Sequence, residues 1–161
     1  MSNILVAYFS ATGTTKRAAK GLAEALGADT FEIVPQTPYT SADLNWSDST
    51  SRSTSEMNDD ASRPPILGTV DGMASYDAVF VGFPIWGYTE PRIIDTFLES
   101  YDFSGKTIVP FATSGGSGLG KAPERMQRIA TGSTVAAGRL LNGHQNPNEL
   151  RDWAQRLGLM R

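Results

Sequence analysis

With 161 residues and no cysteine, the chain is long enough to bury about 70% of its unfolded surface in one core, and it can hold neither a disulfide, a thiolate metal site nor a cysteine nucleophile. Its formal net charge of −3 gives no electrostatic reason to expect a nucleic-acid partner. The opening Met-Ser-Asn runs into an apolar stretch without a basic leader and no run approaches membrane-spanning length, so a soluble cytoplasmic protein is expected.

Ile4 to Phe9 reads as a buried strand. Directly behind it stand Ser10-Ala11-Thr12-Gly13-Thr14-Thr15, four hydroxyl side chains and a glycine ahead of a helical pattern. Unpaired helix amides and a positive dipole end would face whatever that loop holds. With no lysine or arginine inside it, the loop suits a phosphomonoester neutralised by N–H and O–H dipoles. It equally suits an ordinary helix start capped by Ser10 or Thr12. Lys16 and Arg17 read as an exposed helical face, since cations gain nothing from the dipole at a helix start.

Ala18, Ala19, Leu22, Ala23 and Leu26 recur at helical spacing until Gly27, and Phe31 to Val34 is a short second strand. The interval from Pro35 to Pro65 is rich in serine, threonine, aspartate and proline. A parallel sheet needs a crossover there, so part of it, about Ser41 to Asp60, should be helical or tightly looped. Its large apolar residues, Tyr39, Leu44, Trp46 and Met57, would pin it as a surface cover or as a lid beside a ligand pocket. Ala78 to Phe83 is a third strand stopped by Pro84, and Arg92 to Ser100 is a helix carrying Ile93, Ile94, Phe97 and Leu98. Thr107 to Ala112 is a fourth strand in which Pro110 removes one ladder donor, favouring a bulge or strand end. A helix over about Ala122 to Ala130, a weak fifth strand over Thr134 to Ala137 and a helix from Pro147 to Leu157 complete the chain. Alternating strands and helices argue for one domain, residues 1–161, built on a parallel sheet covered on both faces.

Ligands of such sheets collect at the carboxyl ends of the strands where strand order reverses. The third strand ends in Pro84-Ile85-Trp86-Gly87-Tyr88, a flat apolar wall around a glycine that lets main chain approach a ring. The fourth ends in Thr113-Ser114-Gly115-Gly116-Ser117-Gly118, whose amides can face a polar heterocycle edge. A phosphate loop, an aromatic loop and an amide-rich loop together describe a site for a phosphorylated, flat, polar-edged molecule.

On those three loops the chain is similar to flavodoxin-like FMN-binding proteins. It most closely resembles the short flavodoxin family with a Pro-Ile-Trp loop and a Thr-Ser-Gly-Gly-Ser-Gly loop. The resemblance runs through Pro38-Tyr39, Asp43-Leu44, Ser51-Arg52, Arg63-Pro64, Tyr76-Asp77, Phe97-Leu98-Glu99 and Asp102 to Phe111. It implies a flavodoxin-like doubly wound, three-layer α/β/α fold with a five-stranded parallel sheet of order 2-1-3-4-5 and noncovalently bound FMN. Carried over, Ser10, Thr12, Gly13, Thr14 and Thr15 would hold the phosphate. Pro84, Ile85, Trp86, Gly87 and Tyr88 would line the isoalloxazine, and Thr113, Ser114, Gly115, Gly116 and Gly118 would face its pyrimidine edge. The family commonly reads Pro-Ile-Trp-Trp-Gly where this chain has Pro-Ile-Trp-Gly-Tyr, so either Trp86 or Tyr88 is the stacking aromatic. The peptide at Gly87, unobstructed by a side chain, is expected to turn toward flavin N5.

The implied function is electron transfer with a redox partner protein or a small-molecule electron acceptor, without a catalytic triad. An FMN-dependent NAD(P)H:quinone or nitro-compound oxidoreductase would use the same three loops. A flavin-free interaction domain on the same fold is the other alternative. Gly115 to Lys121 imitates the start of a nucleotide P-loop but continues with Ala122 where a Mg²⁺-binding hydroxyl is required. His144 and the Asp59-Asp60 pair read as solvated loop residues, and no metal site has the ligands it needs.

Overall fold

The computed structural model describes residues 3–114, 118–143 and 145–160. Three apolar runs become its innermost strands: β1 (Ile4–Tyr8), followed by α1 (Thr14–Leu26), β2 (Asp29–Glu32), β3 (Val34–Pro35), α2 (Arg52–Met57) and β4 (Ile66–Leu67); β5 (Ala78–Pro84), followed by α3 (Arg92–Glu99); and β6 (Thr107–Thr113). The chain then forms α4 (Ala122–Ile129), β7 (Thr134–Val135), β8 (Arg139–Leu140) and α5 (Pro147–Arg156). The main sheet runs β2-β1-β5-β6-β7 with β8 also on β6, every pair parallel. This is the expected 2-1-3-4-5 order, the fifth strand being supplied in two pieces.

Side-chain alternation sorts the strands into two layers. Leu5, Ala7, Val79, Val81, Phe83 and Ile108 pack against Ile93, Ile94 and Phe97 of α3 and Met126 of α4. Ile4, Val6, Tyr8, Phe80, Val109 and Phe111 pack against Leu22, Ala23 and Leu26 of α1 and Leu150, Trp153 and Ala154 of α5. Burial on both faces explains why these strands read as continuous apolar runs. Gly82 lies beside Phe111 in the register, and a Cβ there would overlap the phenyl ring, so the missing side chain makes room for the largest residue of its row.

Pro110 accounts for the split fifth strand. Ile108 and Ala112 accept from Ala136 N (2.9 Å) and Leu141 N (2.8 Å), so by alternation the missing donor of Pro110 also faces that strand. There the chain leaves the ladder over residues 136–138, and Gly138, with φ of 81°, packs against the Pro110 carbonyl where no Cβ would fit. The weak fifth strand expected over Thr134 to Ala137 is therefore corrected to two short pieces, β7 and β8. The second strand also shifts: β2 starts at Asp29, and Val34–Pro35 leaves the sheet to pair antiparallel with β4. Asp29, Thr30 and Glu32 are exposed on this edge strand, so they carry no apolar signal by which sequence could place it.

Between β3 and β4 the polar segment folds as α2 and tight turns. Ser51 caps α2 by accepting from Thr54 N, and Thr40 and Asp43 exchange main-chain-to-side-chain bonds of 2.9 and 3.1 Å. Among the described residues no helix is long and apolar enough to cross a membrane.

Candidate functional site

β1, β5 and β6 lie side by side and parallel, and α1, which follows β1, packs on one face of the sheet while α3, which follows β5, packs on the other, so their carboxyl ends form a switch-point crevice. The residues after β1 do not make an ordinary capped helix. Gly13, with φ of 94°, is the N-cap of α1 and offers no side chain, while Ser10 Oγ accepts from Gly13 N at 3.0 Å. Arg17 N to Gly13 O (3.1 Å) is the first helical bond, which leaves the amides of Thr14, Thr15 and Lys16 without intrahelical acceptors. No acidic residue stands in that first turn, and the Thr12 and Thr14 side chains are exposed. The donor set suits an anion. Thr15 is placed differently from its neighbours: it is buried, and its hydroxyl lies 2.8 Å from that of Thr113. That pair ties the first loop to the end of β6. Lys16 lies 3.7 Å from Glu32 in an exposed pair.

The loop after β5 is fixed by its own hydrogen bonds. Ile85 N donates to Thr113 O (3.0 Å), and Trp86 and Thr89 exchange main-chain bonds of 3.1 and 3.2 Å. With φ of 57° at Gly87 and 65° at Tyr88, residues 86–89 are a type I′ turn. The Trp86 ring is held edge-on to Phe9 (5.7 Å) and Tyr39 (5.4 Å). Tyr88 is 70% exposed, while its carbonyl accepts from Lys121 N at 3.0 Å. Trp86 is thus the anchored aromatic and Tyr88 the one that stands free.

The segment between β3 and β4 supplies the facing wall. Leu44, Trp46, Ser53, Thr54, Met57 and Asn58 join Ile85, Trp86, Gly87, Tyr88 and Ser114 around a cleft of about 710 Å³. Of the four expected anchors, Tyr39, Leu44 and Met57 are half-buried, but Trp46 is 87% exposed. Tyr39 donates to Glu56 Oε1 (2.5 Å) beneath the Arg52 guanidinium, 3.8 Å above its ring, and Arg52 bonds Glu56 and Thr37 O. Burial and the bond to Glu56 hold the Tyr39 phenol above its ordinary range.

Ser53, Thr54 and Asn58 are not legible in the sequence as lining residues, because nothing in a polar segment announces which of its side chains border the cleft. Asn142 was also missed; it accepts from Ser114 N (2.9 Å) and donates to Ser114 O (3.0 Å), holding the end of β6. Pro84 is half-buried where β5 ends, Thr113 is buried, and Gly118 is exposed. Gly115, Gly116 and His144 lie outside the described residues. A second hollow of about 660 Å³ between α1 and α5 reaches Thr14 but contains none of the aromatic wall.

Behind the turn lies a buried charge cluster. Glu90 and Asp95 are fully buried and share Arg125, at 3.2 and 3.0 Å, and Thr89 Oγ1 donates to Glu90 Oε1. Burial, then the adjoining Glu90 carboxylate, push the Asp95 carboxyl up to about 8 against the pull of Arg125. Asp60 reaches Arg92 at 3.0 Å and Arg125 at 3.5 Å, so the Asp59-Asp60 pair does more than face water.

A family model described as Flavodoxin matches residues 3–157. A solved structure assigned as a flavoprotein from Bacteroides eggerthii is 47% identical, covers 98% of this chain and 99% of its own, and superposes with a TM-score of 0.91. Another from Bacteroides uniformis is 49% identical, with 96% and 98% coverage and a TM-score of 0.89. A flavoprotein from Lactobacillus acidophilus, solved in complex with FMN, shares the fold at 19% identity, with 96% and 99% coverage and a TM-score of 0.73. No curated protein matches the chain.

Proposed function

The chain belongs to the flavodoxin family, and from that premise we propose that it is a cytoplasmic electron carrier that holds FMN in the cleft between α2 and the 86–89 turn. Bound FMN supplies the redox chemistry, accepting and returning electrons, while the protein supplies binding, orientation and electrostatics.

The observation that carries this reading is an exposed apolar pair. Among the described residues the exposed large hydrophobic side chains are Trp46, Leu67 and Tyr88, and two of them border this one cleft. Aromatic faces left in water beside a slot of ring-like chemistry fit a flat ligand that would cover them. The loop after β1, which does not itself line that cleft, suits the phosphate: three amides ahead of the first helical bond, exposed Thr12 and Thr14, and no carboxylate in the first turn.

In this proposal Ser10, Thr12, Gly13 and Thr14 hold the phosphate, and Thr15 keeps their loop registered against Thr113. Ile85 and Trp86 close one side of the ring, with Leu44 and Met57 excluding water from the other wall. Gly87 presents bare main chain to the slot; its nearest neighbour, Met57, stands 3.9 Å from the position a Cβ would take. Ser114 and the glycine-rich stretch behind it bind the polar edge. The recipient of the electrons is a redox partner protein or a small-molecule acceptor.

Anaerobic titration of the FMN-loaded protein, first with dithionite and then with NADPH, tests the reading. A carrier is reduced stoichiometrically by dithionite and does not consume NADPH. Sustained NADPH oxidation with a quinone added would make it an oxidoreductase instead.

A further inference from the structure

One wall of the cleft is held by a side chain from another layer of the fold. Arg92, the first residue of α3, is 3% exposed. Its Nη2 donates to Met57 O (2.9 Å) and to Asp60 Oδ1 (3.0 Å), and its Nε donates to Asp59 O (3.2 Å). All three acceptors belong to the turn that ends α2, within four consecutive residues. Arg92 Nη1 and Asp95 Oδ1 make no hydrogen bond, and Arg92 Nη1 approaches Asp95 Oδ2 only to 3.8 Å. The side-chain hydrogen bonds of this buried guanidinium thus go to the 57–60 turn.

Burying an arginine costs free energy unless its charge is met, and at a helix start the dipole works against it. Asp95, Glu90 and Arg125 supply the surrounding charge balance from α3, the 86–91 loop and α4, with Asp60 and Arg63 at the rim. Packing α3 onto the sheet does not need this arrangement, since Ile93, Ile94 and Phe97 do that. What Arg92 adds is a fixed place for Met57 where α2 meets the turn: its side chain lies at van der Waals distance, 3.9 Å, from the position a Gly87 Cβ would take at the edge of the cleft.

We propose that Arg92 is a positioning residue of the cofactor cleft: by holding the main chain of residues 57–60 against α3 it sets the spacing between α2 and the 86–89 turn, and so the affinity for the flavin ring. The inference rests on the FMN reading given above. Because the wall meets the ring and not the phosphate, its loss weakens FMN and riboflavin alike.

The test is fluorescence titration of apoprotein with FMN and with riboflavin, for wild type, Arg92→Lys, Arg92→Met and Asp60→Asn, alongside apoprotein melting. Loss of hydrogen bonds to a charged group corresponds to about 10- to 100-fold in affinity, expected for Arg92→Met with both ligands. Arg92→Lys should lose less, Asp60→Asn about threefold, and the FMN-to-riboflavin affinity ratio should stay at its wild-type value. Should Arg92→Met not fold, Arg92→Lys and Asp60→Asn decide the matter. Folded variants with wild-type affinity for both flavins, or a loss confined to FMN, overturn the inference alone. A wild-type protein that binds neither flavin overturns the cofactor reading and this inference with it.

Discussion

Tyr88 holds a left-handed backbone at φ of 65°, the conformation glycine adopts freely and other residues take at a cost of about 1 kcal/mol or more. A type I′ turn could place a glycine there, so the tyrosine is kept against the backbone's preference, and its 70% exposure shows that packing does not repay it. Contact with a bound ligand would offset that cost. Tyr88→Gly should therefore raise the melting temperature of the apoprotein by about 2–4 °C while weakening FMN binding. A lower apoprotein melting temperature, or unchanged FMN affinity, would argue against that contact. The same loop shows what sequence could and could not say at this scale. Gly87 and Tyr88 stand out as a departure from the family's usual pair, but which aromatic is anchored depends on Phe9 and Tyr39, whose rings meet Trp86 only in the fold.

At the scale of elements, the sheet is arranged around two local exceptions. Gly82 makes way for Phe111, and Pro110 breaks the neighbouring strand. Overpacking a filled core costs about 1–3 kcal/mol, so Gly82→Ala should destabilise the protein by at least that much. Adding Phe111→Leu should recover part of the loss, and denaturant unfolding of the single and double variants would show it. Strictly additive losses would mean the ring does not occupy the glycine's space. Pro110 was readable as a ladder break because its missing donor is a covalent fact, but β6 runs through it without a bulge or an end and the gap falls in the fifth strand instead. The start of β2 was not readable, since an edge strand with three exposed polar residues has no apolar period. The wall formed by α2 was half readable: Leu44 and Met57 marked a segment with something to cover, whereas the clamp from Arg92 spans 35 residues to Met57 and leaves no local trace.

For the molecule as a whole, the buried cluster behind the turn links stability to pH. An unfolded aspartate ionises at about 3.9, and the folded Asp95 carboxyl does so at about 8, with burial and then Glu90 raising it and Arg63, Arg92 and Arg125 facing it. Between those values the native state holds a proton that the unfolded chain has released, so this group's contribution to stability falls as pH rises through the window and levels above it. Asp95→Asn mimics the protonated form at every pH. Wild type should therefore lose melting temperature relative to Asp95→Asn between about pH 5 and pH 9, across the upper part of that window. Parallel melting profiles would show that Asp95 is ionised in the native state throughout.

On the proposed reading, the crevice at the ends of β1, β5 and β6, closed by α2, holds one FMN. Titrating the apoprotein with FMN while following flavin fluorescence tests it most directly. Saturable quenching at one flavin per chain is expected, with the bound ring shielded from an aqueous quencher. Flavin fluorescence that stays at its free value over the whole titration would contradict it.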